Sequence, residues 1–178
     1  MQRHHPFYTI GHSRRSVEEL ASLLREAGVT LLVDVRTIPR SRTNPQFNAD
    51  TLPDALIPYG IGYRHIRKLG GLRSPRKDRQ PSPNTFWKNE SFRNYADYTA
   101  TSDFREGLAE LRELGRSHTS AIMCAEALWW RCHRRIIADY LLVLGEDVFH
   151  IMAPGKIERA SLTPTAVREP DGSLVYPA

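Results

Sequence analysis

Leu31-Leu32-Val33-Asp34-Val35 is a nearly unbroken apolar run of strand length. Without polar alternation, such a run fits a strand covered on both faces, as in a parallel sheet. Upstream, Phe7-Tyr8-Thr9-Ile10 reads as a shorter strand ending at Gly11-His12-Ser13. Between the two, Ser16 opens a helix and Glu19, three residues on, completes a capping box. Val17, Leu20, Ala21, Leu23, Leu24 and Ala27 give that helix an apolar face, and Gly28 stops it. Downstream, Asp50 is expected to cap a short helix reaching Tyr59, and Gly62-Tyr63-Arg64-His65-Ile66 reads as a third strand. Helical spacing resumes at Phe92–Tyr98 and again near Ser102, with Gly115 as the expected stop. Ser120-Ala121-Ile122-Met123-Cys124 is a further buried strand. A helix from about Arg131 to Leu144 and a last strand, Asp147–Ile151, complete the series. Strands alternating with helices predict a single three-layer α/β domain with a mainly parallel sheet flanked by helices. Its core is expected over residues 8–151, with an irregular tail over 152–178.

Composition narrows the class. With two cysteines in 178 residues, a secreted disulfide framework is a poor fit. No run approaches the roughly 18 apolar residues of a membrane span. Met1-Gln2-Arg3-His4-His5-Pro6 leads straight into the first strand with no secretory apolar segment, so a cytoplasmic location without membrane attachment is expected. The net charge of +5 favours anionic partners, a small molecule or nucleotide foremost and nucleic acid second. Much of the excess lies in Arg64, Arg67, Lys68, Arg73, Arg76, Lys77 and Arg79, opposed by Asp78 alone. That segment is either a solvated loop or a nucleic-acid surface with Arg73, Arg76 and Lys77 as contacts. Tyr63, His65, Phe86, Trp87, Trp129 and Trp130 are rings that either stack on bases or pack the loop onto the core.

In open parallel sheets ligands bind beyond the carboxyl ends of the strands. Three polar segments occupy that edge: Gly11-His12-Ser13, Asp34-Val35-Arg36 and Cys124-Ala125-Glu126. The densest chemistry is Cys124 through Arg134. Cys124, at a strand end close to Arg and His, suits a nucleophilic thiolate, or else a small buried residue closing the strand. Glu126, His133 and His12 are the candidate proton carriers. His133 shares a helical stripe with Ile136, Ile137, Tyr140 and Leu144, so it reads equally as a core residue. Gly11, Ser13, Asp34, Arg36, Cys132 and Arg134 are the candidates for holding an anionic substrate, Asp34 and Arg36 having a structural ion pair as their plainer reading. Seven residues separate the cysteines, a poor spacing for structural zinc. A mononuclear zinc or iron site on Cys124, Glu126, His133 and His12 and a thiol pair cycling through a disulfide both stay open, so the cofactor is undetermined. Neither a dinucleotide fingerprint nor a P-loop is present.

Several of these motifs occur together elsewhere. Thr9-Ile10-Gly11-His12-Ser13, Asp34-Val35-Arg36 with Pro39 and Ser41, Asn44-Pro45-Gln46-Phe47, Tyr63, and Leu69-Gly70-Gly71 resemble the domain of unknown function 488 family. So do Phe92 with Tyr95, Cys124-Ala125-Glu126, Cys132-His133-Arg134 and His150-Ile151. The resemblance spans roughly residues 8–151. It implies a compact α/β domain of bacterial type whose recurring polar set is present here in full, and it carries no agreed activity.

Overall fold

The computed structural model describes residues 5–78 and 80–178; Arg79 of the basic run and residues 1–4 lie outside them. The chain order is β1 (Phe7–Gly11), α1 (Val17–Glu26), β2 (Leu31–Asp34), α2 (Leu52–Leu56), β3 (Gly62–His65), α3 (Glu90–Tyr98), α4 (Ser102–Ser117), β4 (Ser120–Cys124), α5 (Arg134–Val143), β5 (Val148–Ala153) and β6 (Lys156–Arg159), followed by a hairpin of β7 (Val167–Arg168) and β8 (Leu174–Val175). Among the described residues the main sheet has six strands in the order β3-β2-β4-β1-β5-β6. The first five are parallel and β6 is antiparallel.

Strand alternation sorts the core into two layers. Leu32, Ala121, Met123 and Ile10 face α1 and α2, where Leu20, Leu24, Leu52 and Leu56 cover them. Leu31, Val33 and Ile122 face the opposite way, under Tyr95, Phe104, Leu111, Ile136 and Ile137 of α3, α4 and α5. The chain leaves β1 by way of α1 on one face and leaves β4 by way of α5 on the other. Because β1 and β4 are neighbours, their carboxyl ends form a switch point, the place where an open α/β sheet leaves a crevice.

Local sequence accounts for the helix ends. Ser16 caps α1 in a full capping box with Glu19, and Gly28 at φ +75° terminates it. Two expectations need correction. Asp50 caps nothing: the short helix α2 follows Thr51, whose side chain makes no cap bond. Gly115 does not stop α4, which runs on to Ser117. A side chain there would overlap the Phe7 ring, so this glycine lets the helix lie close to β1.

The stretch after residue 152 has more structure than its composition conveyed. Besides β6 and the hairpin, it packs behind α5. Tyr176 is fully buried and its hydroxyl donates to Asp139 Oδ2 at 2.9 Å; Leu174 N–H donates to the Tyr140 hydroxyl, also at 2.9 Å.

Candidate functional site

At the switch point the loops after β1 and β4 lie on one another. His12 N–H donates to Cys124 O at 2.9 Å and Ser13 N–H to Ala125 O at 3.0 Å. Ser13 takes φ +49°, a left-handed conformation uncommon outside glycine. A Cβ on Gly11 would overlap the Glu126 carbonyl, so only glycine allows this approach.

The sequence-predicted site residues converge around a cleft of about 510 Å³. His12, Arg36, Cys124, Glu126, Cys132 and His133 all line it. Cys124 and Cys132 are free thiols whose sulfurs lie 2.6 Å apart at its floor, Cys124 4% and Cys132 5% exposed.

Arg134 sits beneath them. Expected to help hold an anionic substrate, it is 1% exposed and holds the site from below. Its Nε donates to Cys124 Sγ (3.0 Å), Nη1 to Thr9 Oγ1 (3.0 Å) and Nη2 to Glu126 O (2.6 Å), and its backbone N–H points at Cys132 Sγ (3.4 Å). Among the described residues it has no carboxylate partner. A buried guanidinium without a counter-charge costs several kcal/mol. The acidic groups at hand are the two thiols, Cys124 touched by the guanidinium and Cys132 by the backbone N–H.

The ionisation of the pair follows. Burial raises both thiols. At Cys132 the hydrogen bond with Cys124 and the nearby guanidinium outweigh burial and bring the thiol down to about 6. Burial and the neighbouring Cys132 hold Cys124 well above the usual thiol range. At this separation the two thiols titrate as a coupled pair. Burial also works against the charge on Arg134, but the sulfurs more than restore it.

His133 stands beside Cys132. Its Nε2 lies 2.8 Å from the Val35 carbonyl, which can only accept, so Nε2 carries the hydrogen. Burial lowers this histidine's pKa, leaving Nδ1 bare and 3.5 Å from Cys132 Sγ, poised to take or return a proton there. The ring packs edge-on to Tyr95, and a side chain on Gly71 would overlap it.

His12 is more constrained. Its Nδ1 faces the Ser13 carbonyl at 2.9 Å, and its Nε2 accepts from Arg36 Nη1 at 3.4 Å. With both nitrogens engaged and the ring stacked on Phe47, it positions Arg36. Asp34 clamps Arg36 through Nε (2.9 Å) and Nη2 (2.7 Å), the Tyr63 hydroxyl donates to Asp34 Oδ2, and Arg36 Nη2 also donates to Phe47 O (2.6 Å). The structural ion pair is therefore present, yet one Nη1 hydrogen of Arg36 is left over at the cleft wall. Glu126 is exposed; its carboxylate accepts from Leu128 N–H at 3.1 Å and its carbonyl receives Arg134.

Among the described residues no three His, Cys, Asp or Glu side chains converge as a metal site. The family model described as Domain of unknown function DUF488 matches residues 16–141. The chain belongs to the DUF488 family. The match is narrower than residues 8–151: Gly11, His12, Ser13 and His150 of this DUF488 chain fall outside it, although the fold brings them to the thiol pair or the loops around it. No curated protein and no solved structure matches the chain.

The sequence names Thr9 and His150 within the family motifs but gives neither a role at the site. Thr9 Oγ1, on β1, accepts from Arg134 and lies 2.6 Å from His150 Nδ1. Burial, aided by Arg134, pushes His150 down to about 3, and the Trp129 ring stacks on it at 4.3 Å. A hydroxyl in the middle of an apolar strand was the available signal. Arg40 and Arg131, exposed at the cleft and without ion pairs among the described residues, were missed.

The basic segment gathers elsewhere and is largely satisfied within the chain. Lys68 pairs with Glu106, Arg64 with Glu110 (3.9 Å) and Arg76 with Asp78 (2.7 Å). Arg73 lies 3.8 Å over the Tyr98 ring and donates to Gly70 O and Arg67 O. Lys77 is exposed. Trp87 is buried among Phe86, Phe92 and Tyr176, so two of the expected stacking rings serve packing.

Proposed function

We propose that this chain is a thiol-dependent enzyme acting on a small anionic substrate, with Cys132 as nucleophile and His133 carrying its proton. The observation behind the reading is Arg134: a buried guanidinium in contact with Cys124 Sγ at 3.0 Å, its backbone N–H 3.4 Å from Cys132 Sγ, and no carboxylate partner among the described residues. A core that needs only inert thiols has no use for that cation, whereas a nucleophile that must be ionised at neutral pH does. The cleft above supplies the remaining parts. Arg40, Arg131 and the spare hydrogen of Arg36 offer positive charge at the mouth for an anion, with the sulfurs at the floor. His133 Nδ1 is within reach of Cys132 and is oriented by Val35 O, the relation of base to nucleophile and of orienting group to base. Glu126, at the rim, is a second proton carrier on the substrate side.

The thiolate is tested by ultraviolet absorbance during a pH titration of the folded chain and of Cys132→Ser. One thiolate should appear with a midpoint near the value of about 6 assigned to Cys132 and be displaced in the variant. If no thiolate forms before ordinary cysteine ionises, at about 8.5, the nucleophile assignment is wrong. The basic-segment reading gains no support from the geometry, since Arg64, Lys68, Arg73 and Arg76 already have partners within the chain.

A further inference from the structure

We propose that the two sulfurs work as a reducing pair on hydroperoxides, Cys132 taking the terminal oxygen and Cys124 resolving the product as a disulfide. This deepens the thiol-enzyme reading and rests on it. The contact between the sulfurs is what carries it. A cysteine that passes an acyl group to water needs a solvent-filled approach to the bound group, but here a second thiol is in direct contact with the first. Any group on Cys132 is within reach of Cys124. For a carbon-linked group, that attack only moves it from one sulfur to the other. For an oxygen on sulfur, the attack expels water and is productive.

The steps balance. The Cys132 thiolate attacks the outer oxygen of ROOH; the O–O bond breaks, RO⁻ leaves with the electron pair and takes up a proton as ROH, and Cys132–SOH remains. Cys124, giving up its proton to the departing hydroxide, attacks the Cys132 sulfur; water leaves and the Cys124–Cys132 disulfide forms. The peroxide gains two electrons and the thiols lose them. An external low-molecular-weight thiol returns the pair to its reduced form.

Arg134 selects the oxidant. Closing the disulfide removes the negative charge of the sulfur pair, whose Cys124 member touches a guanidinium that is 1% exposed and has no carboxylate partner among the described residues. The oxidised form therefore strands a buried charge, as in thiol pairs whose reduced form is stabilised and whose disulfide is easily reduced. Ordinary disulfides are too weak to drive that oxidation, whereas cleavage of an O–O bond is strongly downhill. The same stranded charge makes re-reduction by simple thiols easy. The cleft fits an organic hydroperoxide with an apolar body and an anionic group: Ile38 and Leu72 line it while 60% and 70% exposed, together with Phe92, Arg40 and Arg131.

The reduced 178-residue chain is mixed with one equivalent of linoleic acid hydroperoxide, which carries a carboxylate, or, in parallel, with excess glutathione disulfide, then alkylated and weighed by mass spectrometry. The expected result is loss of both alkylatable thiols with the peroxide and retention of both with glutathione disulfide. Cys124→Ser should stop at a sulfenic acid trapped by dimedone, and Cys132→Ser should not react. The rate should level off above about pH 6, where Cys132 is ionised. Two free thiols after peroxide, or equal oxidation by glutathione disulfide, overturns the proposal. If the thiolate titration succeeds while peroxide leaves both thiols intact, the peroxide reading fails and the nucleophile assignment stands; if no low-pH thiolate exists, both fail.

Discussion

Replacing both cysteines by serine tests whether Arg134 is held by charge. A serine hydroxyl accepts a hydrogen bond from the guanidinium and nearly matches the thiol in shape, but it stays neutral. If the sulfurs are neutral in the fold, the double substitution Cys124→Ser/Cys132→Ser should cost about 1 kcal/mol per site, a typical buried substitution. If they carry the counter-charge of a guanidinium that is 1% exposed, the cost is that of breaking a buried ion pair from one side, about 3–5 kcal/mol. Arg134→Met alone breaks the same pair from the other side. There the thiolate escapes by taking up a proton, so the loss should be smaller, about 2 kcal/mol, on top of the bonds to Thr9 and Glu126. The triple variant contains neither charge and should be no worse than the serine pair. Urea unfolding at neutral pH of all four proteins, compared at constant m-value, gives the coupling directly. It should be at least about 2 kcal/mol, with the sign of a mutual attraction. Additive losses, agreeing within about 0.5 kcal/mol, would refute the counter-ion argument and the nucleophile with it.

Three further outcomes follow from the same geometry. Between a folded value of about 6 for Cys132 and about 8.5 for an unfolded thiol, the unfolded chain binds more protons, so stability should rise with pH by up to about 1.4 kcal/mol per unit. Above that window the raised Cys124 reverses the sign, because the folded chain then keeps a proton that the unfolded chain has lost; thermal melts should show a maximum near pH 8–9, absent in the serine pair. His150, held at about 3 against about 6.5 unfolded, contributes stability that is complete above pH 6.5 and drains away as pH falls toward 3, by up to about 5 kcal/mol; acid unfolding of His150→Gln should lack that component. Gly11→Ala should cost at least about 1–3 kcal/mol, because its methyl overlaps the Glu126 carbonyl, and should shift the thiolate titration by moving the loop that Arg134 grips; an unchanged titration would show the two to be independent.

The sheet was legible because strands covered on both faces must be apolar throughout, and Leu31–Val35 and Ser120–Cys124 stand out against polar loops. The location of the site was legible for a related reason: polar residues placed immediately after such strands can only be at the sheet's carboxyl edge. The role of Arg134 was not. Helical spacing from Arg131 rotated it away from the His133 stripe, but α5 begins at Arg134 itself, after the 3₁₀ turn Trp129–Arg131, and the first turn faces β1. Its partners come from positions 9, 124 and 126, a juxtaposition no local pattern encodes. Gly115 was misread because a glycine that makes room for a distant ring looks, in sequence, like one that ends a helix.

The hairpin and the last residues of the chain reach the thiols by a mechanical route. Asp139, farther along the helix that starts at Arg134, receives the Thr163 N–H at 2.9 Å and the Tyr176 hydroxyl, and the next residue, Tyr140, is tied to Leu174. These anchors lie beyond residue 141, where the family match ends. The helix that carries the buried cation is thus braced from behind by a segment the shared family pattern does not include. A protein ending at residue 141 would keep every reactive side chain from Arg36 to Arg134 and lose the buttress that keeps the guanidinium pressed against the sulfurs.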